Sequence, residues 1–363
     1  MNYFCQVYLS KLQLFQFKNH NELSLEFCNG INTITGANGI GKTNILDAVH
    51  YLANAKSYFN GIDSQIIQHQ QTFFTIKGKF EGEMPAEILV QFESGKKTIK
   101  KNDKPYPRLL DHIGLIQTVF ITPYDIDLVL GGSEDRRKFM DLSLCQIDAA
   151  YLQNLSTYKK SLDQRNALLK NMQGRFIDPD LLGSFDSKLI PTGELIYAKR
   201  KEFIEKFLEF FVPIYKDLSQ GKETPELQYE STLSEGSFTD ILYNNHRIDS
   251  AAQRTTFGIH KDDLQFNLDG LPLKKFGSQG QIKCFIIALK LAQYRYFQSV
   301  TQKCPLLLLD DIFEKIDADR AQRLIELVGE TSFGQILITD THASRVETHF
   351  SGIKAEKLHH QIG

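Results

Sequence analysis

Apolar and polar residues alternate at strand period through the first third of the chain. Leu12-Gln13-Leu14-Phe15-Gln16-Phe17 and Leu23-Ser24-Leu25-Glu26-Phe27 set apolar side chains two apart, which predicts half-buried strands. Residues 31–35 form a third short β-rich run, and residues 44–52 then carry apolar side chains at helical spacing. Strand character continues over 73–80 and 88–92, with Gly95 and Pro105-Tyr106-Pro107 marking turns. Across 134–213 the period lengthens to that of helices, notably over 137–142, 151–170 and 193–211. Gly174, Pro179, Gly183, Pro191 and Pro213 are expected to interrupt this stretch, and no heptad pattern persists long enough for an extended coiled coil. A compact helical arm is the prediction. Strand and loop character return after Gly258, and two apolar runs, 306–309 and 335–339, flank a helix over 320–328. The pattern is α/β, with a helical insertion between two α/β parts.

The turn between the third strand and the first helix reads Gly36-Ala37-Asn38-Gly39-Ile40-Gly41-Lys42-Thr43, which fills every position of the pattern G-x-x-x-x-G-K-[ST]. Such a turn aims backbone N–H groups and the positive end of a helix dipole at phosphate. Lys42 is expected to reach the β- and γ-phosphates of ATP, and the Thr43 hydroxyl to ligate magnesium.

Leu306-Leu307-Leu308-Leu309-Asp310-Asp311 has the form of a second nucleotide motif, a core strand that holds an acid near the metal. By itself it reads equally as a solvated acidic loop after a buried strand. Beside the phosphate loop, Asp310 is the metal-side residue and Asp311 the candidate to orient or deprotonate the attacking water. Asp317 follows at the spacing of a loop that touches a second subunit. Ser278, Gln279 and Gly280 precede an apolar helix over 282–291 and lie about 30 residues before Asp310. Alone they read as a helix cap. Their position relative to Asp310 resembles the Ser-Gly-Gly-Gln sequence of ABC-type ATPases, where a serine and a helix N-terminus contact the γ-phosphate held by the opposite subunit.

Composition narrows the setting more than the function. The chain has 363 residues and a formal net charge of −2, so there is no global bias toward nucleic acid. Five cysteines form no C-x-x-C pair, which argues against zinc and against a disulfide framework. No run of about 18 apolar residues occurs, and the N-terminus lacks the flanks of a signal peptide. A cytoplasmic protein with no membrane association is expected.

Segments outside the nucleotide motifs carry a more specific signal. Phe17-Lys18-Asn19, the run 41–48, 120–129, 132–141, 164–170 and Gly258-Ile259-His260-Lys261-Asp262-Asp263-Leu264 together resemble the RecF family of bacterial DNA replication and recombinational repair ATPases, within the wider SMC-like ABC group. The resemblance covers nearly the whole chain. It implies an ABC-type P-loop ATPase head formed by 1–130 and 256–363, with 131–255 as the inserted helical lobe. It also implies an ATP-dependent head-to-tail homodimer that binds DNA at single-strand/double-strand junctions and, with RecR and RecO, assists RecA loading at gaps. Slow hydrolysis would act as the release switch.

Lys18 stands where the family carries Arg, keeping the charge without the bidentate fork, and its expected role is a phosphate contact. His342 falls about two positions late for the switch histidine of transport ABC proteins. It reads as a loop histidine, with γ-phosphate sensing as the alternative. Gln117 is the candidate for the glutamine that couples nucleotide to the helical lobe. Candidate DNA phosphate contacts are Lys96, Lys97, Lys100, Lys101, Lys104 and Arg108 in the head, and Arg136, Arg137, Lys138, Lys159, Lys160, Lys199, Arg200 and Lys201 on the arm. A transport ATPase subunit would place its serine motif far closer than the roughly 230 residues that separate Lys42 from Ser278. An SMC-type tether would need a longer heptad insertion. A nuclease would need a further metal-carboxylate constellation.

Overall fold

The computed structural model describes residues 5–172, 179–313, 318–329, 333–342, 348, 350 and 352–363. In chain order, β1 (Cys5–Phe17), β2 (His20–Glu26) and β3 (Ile31–Thr35) precede α1 (Lys42–Asn54). There follow β4 (Phe73–Gly82), β5 (Ala86–Glu93), β6 (Lys96–Lys101), β7 (Lys104–Pro105) and β8 (Thr118–Ile121). The helical stretch comprises α2 (Asp127–Leu130), α3 (Ser133–Cys145), α4 (Ala149–Asn171) and α5 (Pro179–Leu218). Next come β9 (Pro225–Glu230), α6 (Phe238–Asn244), α7 (His246–Ala252), β10 (Asp263–Leu268), β11 (Leu271–Pro272) and α8 (Leu273–Phe276). The chain closes with α9 (Gln279–Thr301), β12 (Lys303–Cys304), β13 (Leu306–Asp310), α10 (Ala318–Gly329), β14 (Ile336–Asp340) and β15 (Lys357–Gln361).

Two compact units result: Met1–Asp125 with Pro213–Lys222 and Ser278–Gly363, and Ile126–Val212 with Glu223–Gly277. The first unit holds two sheets. One is parallel, ordered β15-β3-β14-β13-β8. Its four strands β3, β14, β13 and β8 are buried along their whole length; β8, β13 and β14 are mainly apolar runs rather than alternating ones, whereas β3 buries Asn32, Thr33 and Thr35 beside its two isoleucines. The other sheet, ordered β12-β1-β4-β5-β6-β7 with β2 also on β1, is mainly antiparallel and shows the predicted period of two. Leu12, Leu14, Phe74, Ile76, Ile88 and Val90 share a core with Ile45, Leu46, Val49 and Leu52 of α1. The amide of Gln335, just before β14, ties β1 to the parallel sheet. Its Oε1 accepts from Leu9 N at 2.8 Å, and its Nε2 donates to the carbonyls of Leu9 and Cys28 at 2.8 Å each.

In the second unit α5 runs unbroken from Pro179 to Leu218, continuing into the first unit at Pro213. The interruptions expected at Gly183, Pro191 and Pro213 are absent, and Gly174 lies outside the described residues. Interior proline costs about 3 kcal/mol, but Leu182, Leu189, Ile196, Phe203, Phe207 and Phe211 continue one fully buried stripe in phase through Gly183 and Pro191. Each contributes roughly 1.5–3 kcal/mol on burial, so the stripe outweighs the local penalty. The Thr192 hydroxyl donates to Lys188 O at 2.6 Å in the same turn, whereas the carbonyl that loses its amide donor to Pro191 is that of Ser187. A strand within the predicted arm, β9, pairs antiparallel with β10.

Candidate nucleotide site

β3 ends at Thr35 and α1 begins at Lys42, so residues 36–41 are the strand-to-helix turn. Gly41 adopts φ +109°, and a Cβ there would meet the Asn19 amide and the His20 ring at 2.5 Å. Glycine is therefore required on both conformational and steric grounds. Lys42 is buried, and its ammonium curls over the loop, donating to Gly36 O at 2.9 Å and Ala37 O at 3.1 Å. Ala37, Asn38 and Gly39 are exposed at the tip, while Ile40 is half-buried.

Register brings the acidic motif to the same level. Asp310 of β13 pairs with Thr339 of β14, and Asp340 of β14 pairs with Thr35 of β3. The carboxyl ends of parallel strands therefore converge beside the turn, the usual ligand position in such sheets. Thr43 Oγ1 donates to the Asp310 carboxylate at 2.8 and 2.9 Å, and Thr339 Oγ1 donates to it at 2.7 Å. Burial pushes the Asp310 carboxyl above the ordinary carboxylate range, against the hydrogen bonds of Thr339 and Thr43 and the charge of Lys42. A hydroxyl and a carboxylate in contact, with no cluster of three or more His, Cys, Asp or Glu poised for a metal among the described residues, fit magnesium shared with phosphate rather than an all-protein cage. Asp311 is half-buried at φ 43°, with its amide bonded to Thr339 O at 3.3 Å and Thr339 Oγ1 at 3.2 Å, so β14 fixes its backbone directly.

Ser278 is the N-cap of α9. Its Oγ accepts from Gln281 N at 3.2 Å and its N donates to Gln281 Oε1 at 2.7 Å, the reciprocal pattern of a capping box. The cap and the anion-site reading are compatible, because a hydroxyl that accepts at its oxygen retains a proton to donate. Ser278 and Gln279 are exposed, and Gly280 is half-buried with Arg320 Nη1 2.8 Å from where a Cβ would lie. Asp317 lies outside the described residues.

Lys18 does not reach the loop. Its Nζ sits 2.7 Å from the buried Asp47 carboxylate of α1. The neighbouring residues contact the loop instead: Asn19 Nδ2 donates to Ile40 O at 2.8 Å, and His20 Nε2 lies 3.1 Å from Gly41 O. Burial pushes the His20 imidazole down, favouring the neutral ring. Neither residue has a motif of its own in the sequence, although Asn19 belongs to the family-like segment Phe17-Lys18-Asn19. Gln117 precedes β8 at the amino end of the parallel sheet, and Thr301 Oγ1 donates to its Oε1 at 3.1 Å. That is the end of the strand away from Asp310, which removes it as the coupling glutamine. His342 is exposed, with its amide held by Asp340 Oδ1 at 2.8 Å.

Three of the proposed DNA contacts are internal instead. Arg200 is 1% exposed and its guanidinium meets Asp141 and Asp262 at 2.8 Å each and Ile259 O at 2.8 Å. Arg136 makes a two-pronged pair with Asp263 at 2.7 and 2.9 Å. Lys97 donates to Ala55 O at 2.7 Å and pairs with Asp63 at 2.8 Å. Each charge is spent inside the protein, so none faces a phosphate backbone. Arg137, half-buried, likewise donates to Asp262 O at 2.6 Å.

Comparison with known proteins matches this architecture. The RecF/RecN/SMC N terminal domain family matches residues 8–361. The DNA replication and repair protein RecF of Flavobacterium johnsoniae is 44% identical over 344 residues, 94% of this chain and 96% of that protein. Its counterpart in Phocaeicola vulgatus is 42% identical over 352 residues, 96% of this chain and 94% of that protein. A solved structure of the recombination mediator protein RecF with ATP, in the RecFOR pathway, superposes with a TM-score of 0.87 at 28% identity, covering 94% of each chain. An SMC head bound to the C-winged helix domain of ScpA shares the fold, with a TM-score of 0.54 at 16% identity over 93% of this chain and 90% of that one. The chain belongs to the RecF family of DNA replication and repair proteins.

Proposed function

We propose that the protein is an ATP-gated DNA-binding protein of recombinational repair, in which two copies close head to tail around two ATP molecules. One observation carries this reading. Lys42, Thr43 and Asp310 form a phosphate and metal site at one set of strand ends, while Ser278 stands exposed with its bonds to its own helix start. A serine with a helix N-terminus behind it is an anion site, and in the closed dimer it serves the other copy's γ-phosphate.

Each residue has a defined part. The amides of residues 36–41 cradle the phosphates, and Lys42 leaves the carbonyls of Gly36 and Ala37 to meet the β- and γ-oxygens. Thr43 and Asp310 hold magnesium, which when bound offsets phosphate charge. Asp311 orients or deprotonates the attacking water, and Asp317 contacts the second copy. Residues 1–130 and 256–363 act as the head, and 131–255 as the inserted lobe. ATP favours closure because it binds the closed dimer better than the open one, and slow hydrolysis releases it. DNA junctions, RecR and RecO are the partners of this reading, with RecA loading as its outcome; likeness to a recombination mediator protein of the RecFOR pathway supports partners of that general kind. A cytoplasmic location agrees with this role.

The test is mass in solution with and without ATP–Mg. A dimer that Lys42→Met and Ser278→Arg abolish and Asp311→Asn prolongs supports the reading; a mass indifferent to ATP in the parent protein refutes it.

A further inference from the structure

The helix that begins at Ser278 carries a lysine in the core. Lys290 of α9 is 4% exposed, and its Nζ lies 2.9 Å from Asp125 Oδ1 and 2.8 Å from the Tyr58 hydroxyl oxygen. The Tyr58 hydroxyl in turn donates to Asp125, and Asp125 Oδ2 accepts from Thr122 N at 2.7 Å. Beyond Tyr58 the contacts continue to α1. Tyr58 N donates to Asp47 Oδ1 at 2.7 Å, and Ser57 Oγ donates to Asp47 Oδ2 at 2.7 Å. Asp47 lies one helical turn after Thr43 and is also held by Lys18.

The path thus joins the helix of the phosphate loop to the helix of Ser278 through the buried Lys290, Asp125 and Asp47 and the half-buried Tyr58, within one compact unit. Its middle member follows β8, whose register puts the residue after Ile121 level with Asp310. The charge of Asp125 adds to burial in raising the Asp310 carboxyl. Stability alone does not call for this arrangement, since well-packed apolar residues commonly replace a buried ion pair without loss. What the ionic path adds is directional geometry between elements, the kind of contiguous network through which sites are coupled.

We propose that Lys290 is a positioning residue: through Asp125, Tyr58 and Asp47 it makes the setting of α9 depend on the state of the chain's own phosphate loop, so that nucleotide bound there readies Ser278 for a second copy. This rests on the function proposed above. Lys290 lies in the core and acts through the helix it fixes.

The experiment is amide hydrogen exchange in the Ser278→Arg background, where the protein stays monomeric, with and without ATP–Mg. Lys290→Met and the charge-neutral double variant Lys290→Met/Asp125→Asn are compared with that background, and the double variant guards against unfolding from an unpaired aspartate. The expected result is that ATP–Mg slows exchange over residues 36–46 in every protein. Over 283–290 it slows exchange about tenfold, within the usual range of coupling between sites, only where Lys290 is present. A protected loop with unchanged exchange over 283–290, or equal protection there in both Met variants, overturns the inference. Absence of protection at 36–46 in the Lys290-containing protein refutes nucleotide binding itself, and the inference falls with it.

Discussion

Thr43 and Asp310, 267 positions apart in the chain, meet through a hydroxyl-to-carboxylate hydrogen bond of 2.8 Å. The contact exists because β3 and β13 end at the same level of one parallel sheet with β14 between them. It also sets an acid into the core, and burial raises the pKa of Asp310.

That acid should cost stability in the nucleotide-free protein. The folded state holds the Asp310 proton to higher pH than the unfolded chain does. Its contribution therefore favours folding below about pH 4 and is withdrawn as pH rises through the folded pKa. Asp310→Asn should accordingly melt no lower than the parent at pH 7.5, with any advantage shrinking toward pH 4, while losing the magnesium-dependent part of stabilisation by ATP. Calorimetry at both pH values, with and without ATP–Mg, checks this. A nucleotide-free melting point well below the parent's at pH 7.5 would show that the hydrogen bonds from Thr43 and Thr339 outweigh desolvation.

His260 gives the opposite dependence. Burial pushes its imidazole down to about 4, with Tyr158 donating to Nδ1 at 2.8 Å and Nε2 lying 3.0 Å from Thr255 O. The unfolded chain takes up this proton near pH 6.5, so the stabilisation is complete above that value and is lost as pH falls toward 4. At about 1.4 kcal/mol per pH unit the loss approaches about 3 kcal/mol. His20, His112 and His360 shift in the same direction, so the variant must be read by difference. His260→Gln, which can keep both hydrogen bonds, should flatten the fall in urea-unfolding free energy between pH 6.5 and 4.5. An unchanged slope would remove His260 as its source.

Arg200 is a structural charge, and its replacement should show it. Arg200→Met leaves Asp141 and Asp262 without their common partner, a loss of about 3–5 kcal/mol. Arg200→Lys should recover little, because one ammonium cannot reproduce a planar fork that spans two carboxylates, the Ile259 carbonyl and the Tyr151 hydroxyl. Lys159, exposed and 3.7 Å from Asp141, provides the control: its alanine variant should stay within about 0.5 kcal/mol of the parent. Urea unfolding distinguishes the three. Near-parental stability of Arg200→Met would mean that the site repacks around the acids.

The same arginine marks the limit of what sequence pattern reveals. Period and turn chemistry located the strands around the phosphate loop, and the pattern 36–43 identified the turn, because those signals are local. Charge is not local information. Arg200 in a Lys-Arg-Lys run and an exposed lysine look alike until Asp141 and Asp262 arrive from other elements. Pro191 misled for a related reason, since propensity speaks for one residue and the buried stripe of α5 for many. Asn19 and His20 reach the loop because a hairpin turn places them there, a tertiary fact with no pattern of its own.

Internal pairing also narrows the DNA surface. Lysines on the outward face of the antiparallel sheet are matched by acids: Lys11 with Glu26 at 3.2 Å, Lys77 with Glu87 at 2.9 Å and Lys79 with Glu81 at 2.8 Å. On β6, Lys97 turns inward to Asp63 and the Tyr51 ring, whereas Lys100 has the opposite orientation; Lys104, paired with Lys101 across the hairpin, is exposed near its tip. Strand alternation separates the two roles, as neighbouring odd and even positions point to opposite faces. Replacing Lys100 and Lys104 by alanine should weaken DNA binding uniformly across sequences and lower the salt slope by about one for each phosphate no longer neutralised. Lys97→Ala should instead lower thermal stability and leave the salt slope of the folded protein unchanged. Titrations of DNA by the ATP-bound protein at several salt concentrations read both effects. If the slope ignores Lys100 and Lys104, the phosphate-binding surface belongs to another face, and the arm lysines Lys160 and Lys201 become the next pair to test.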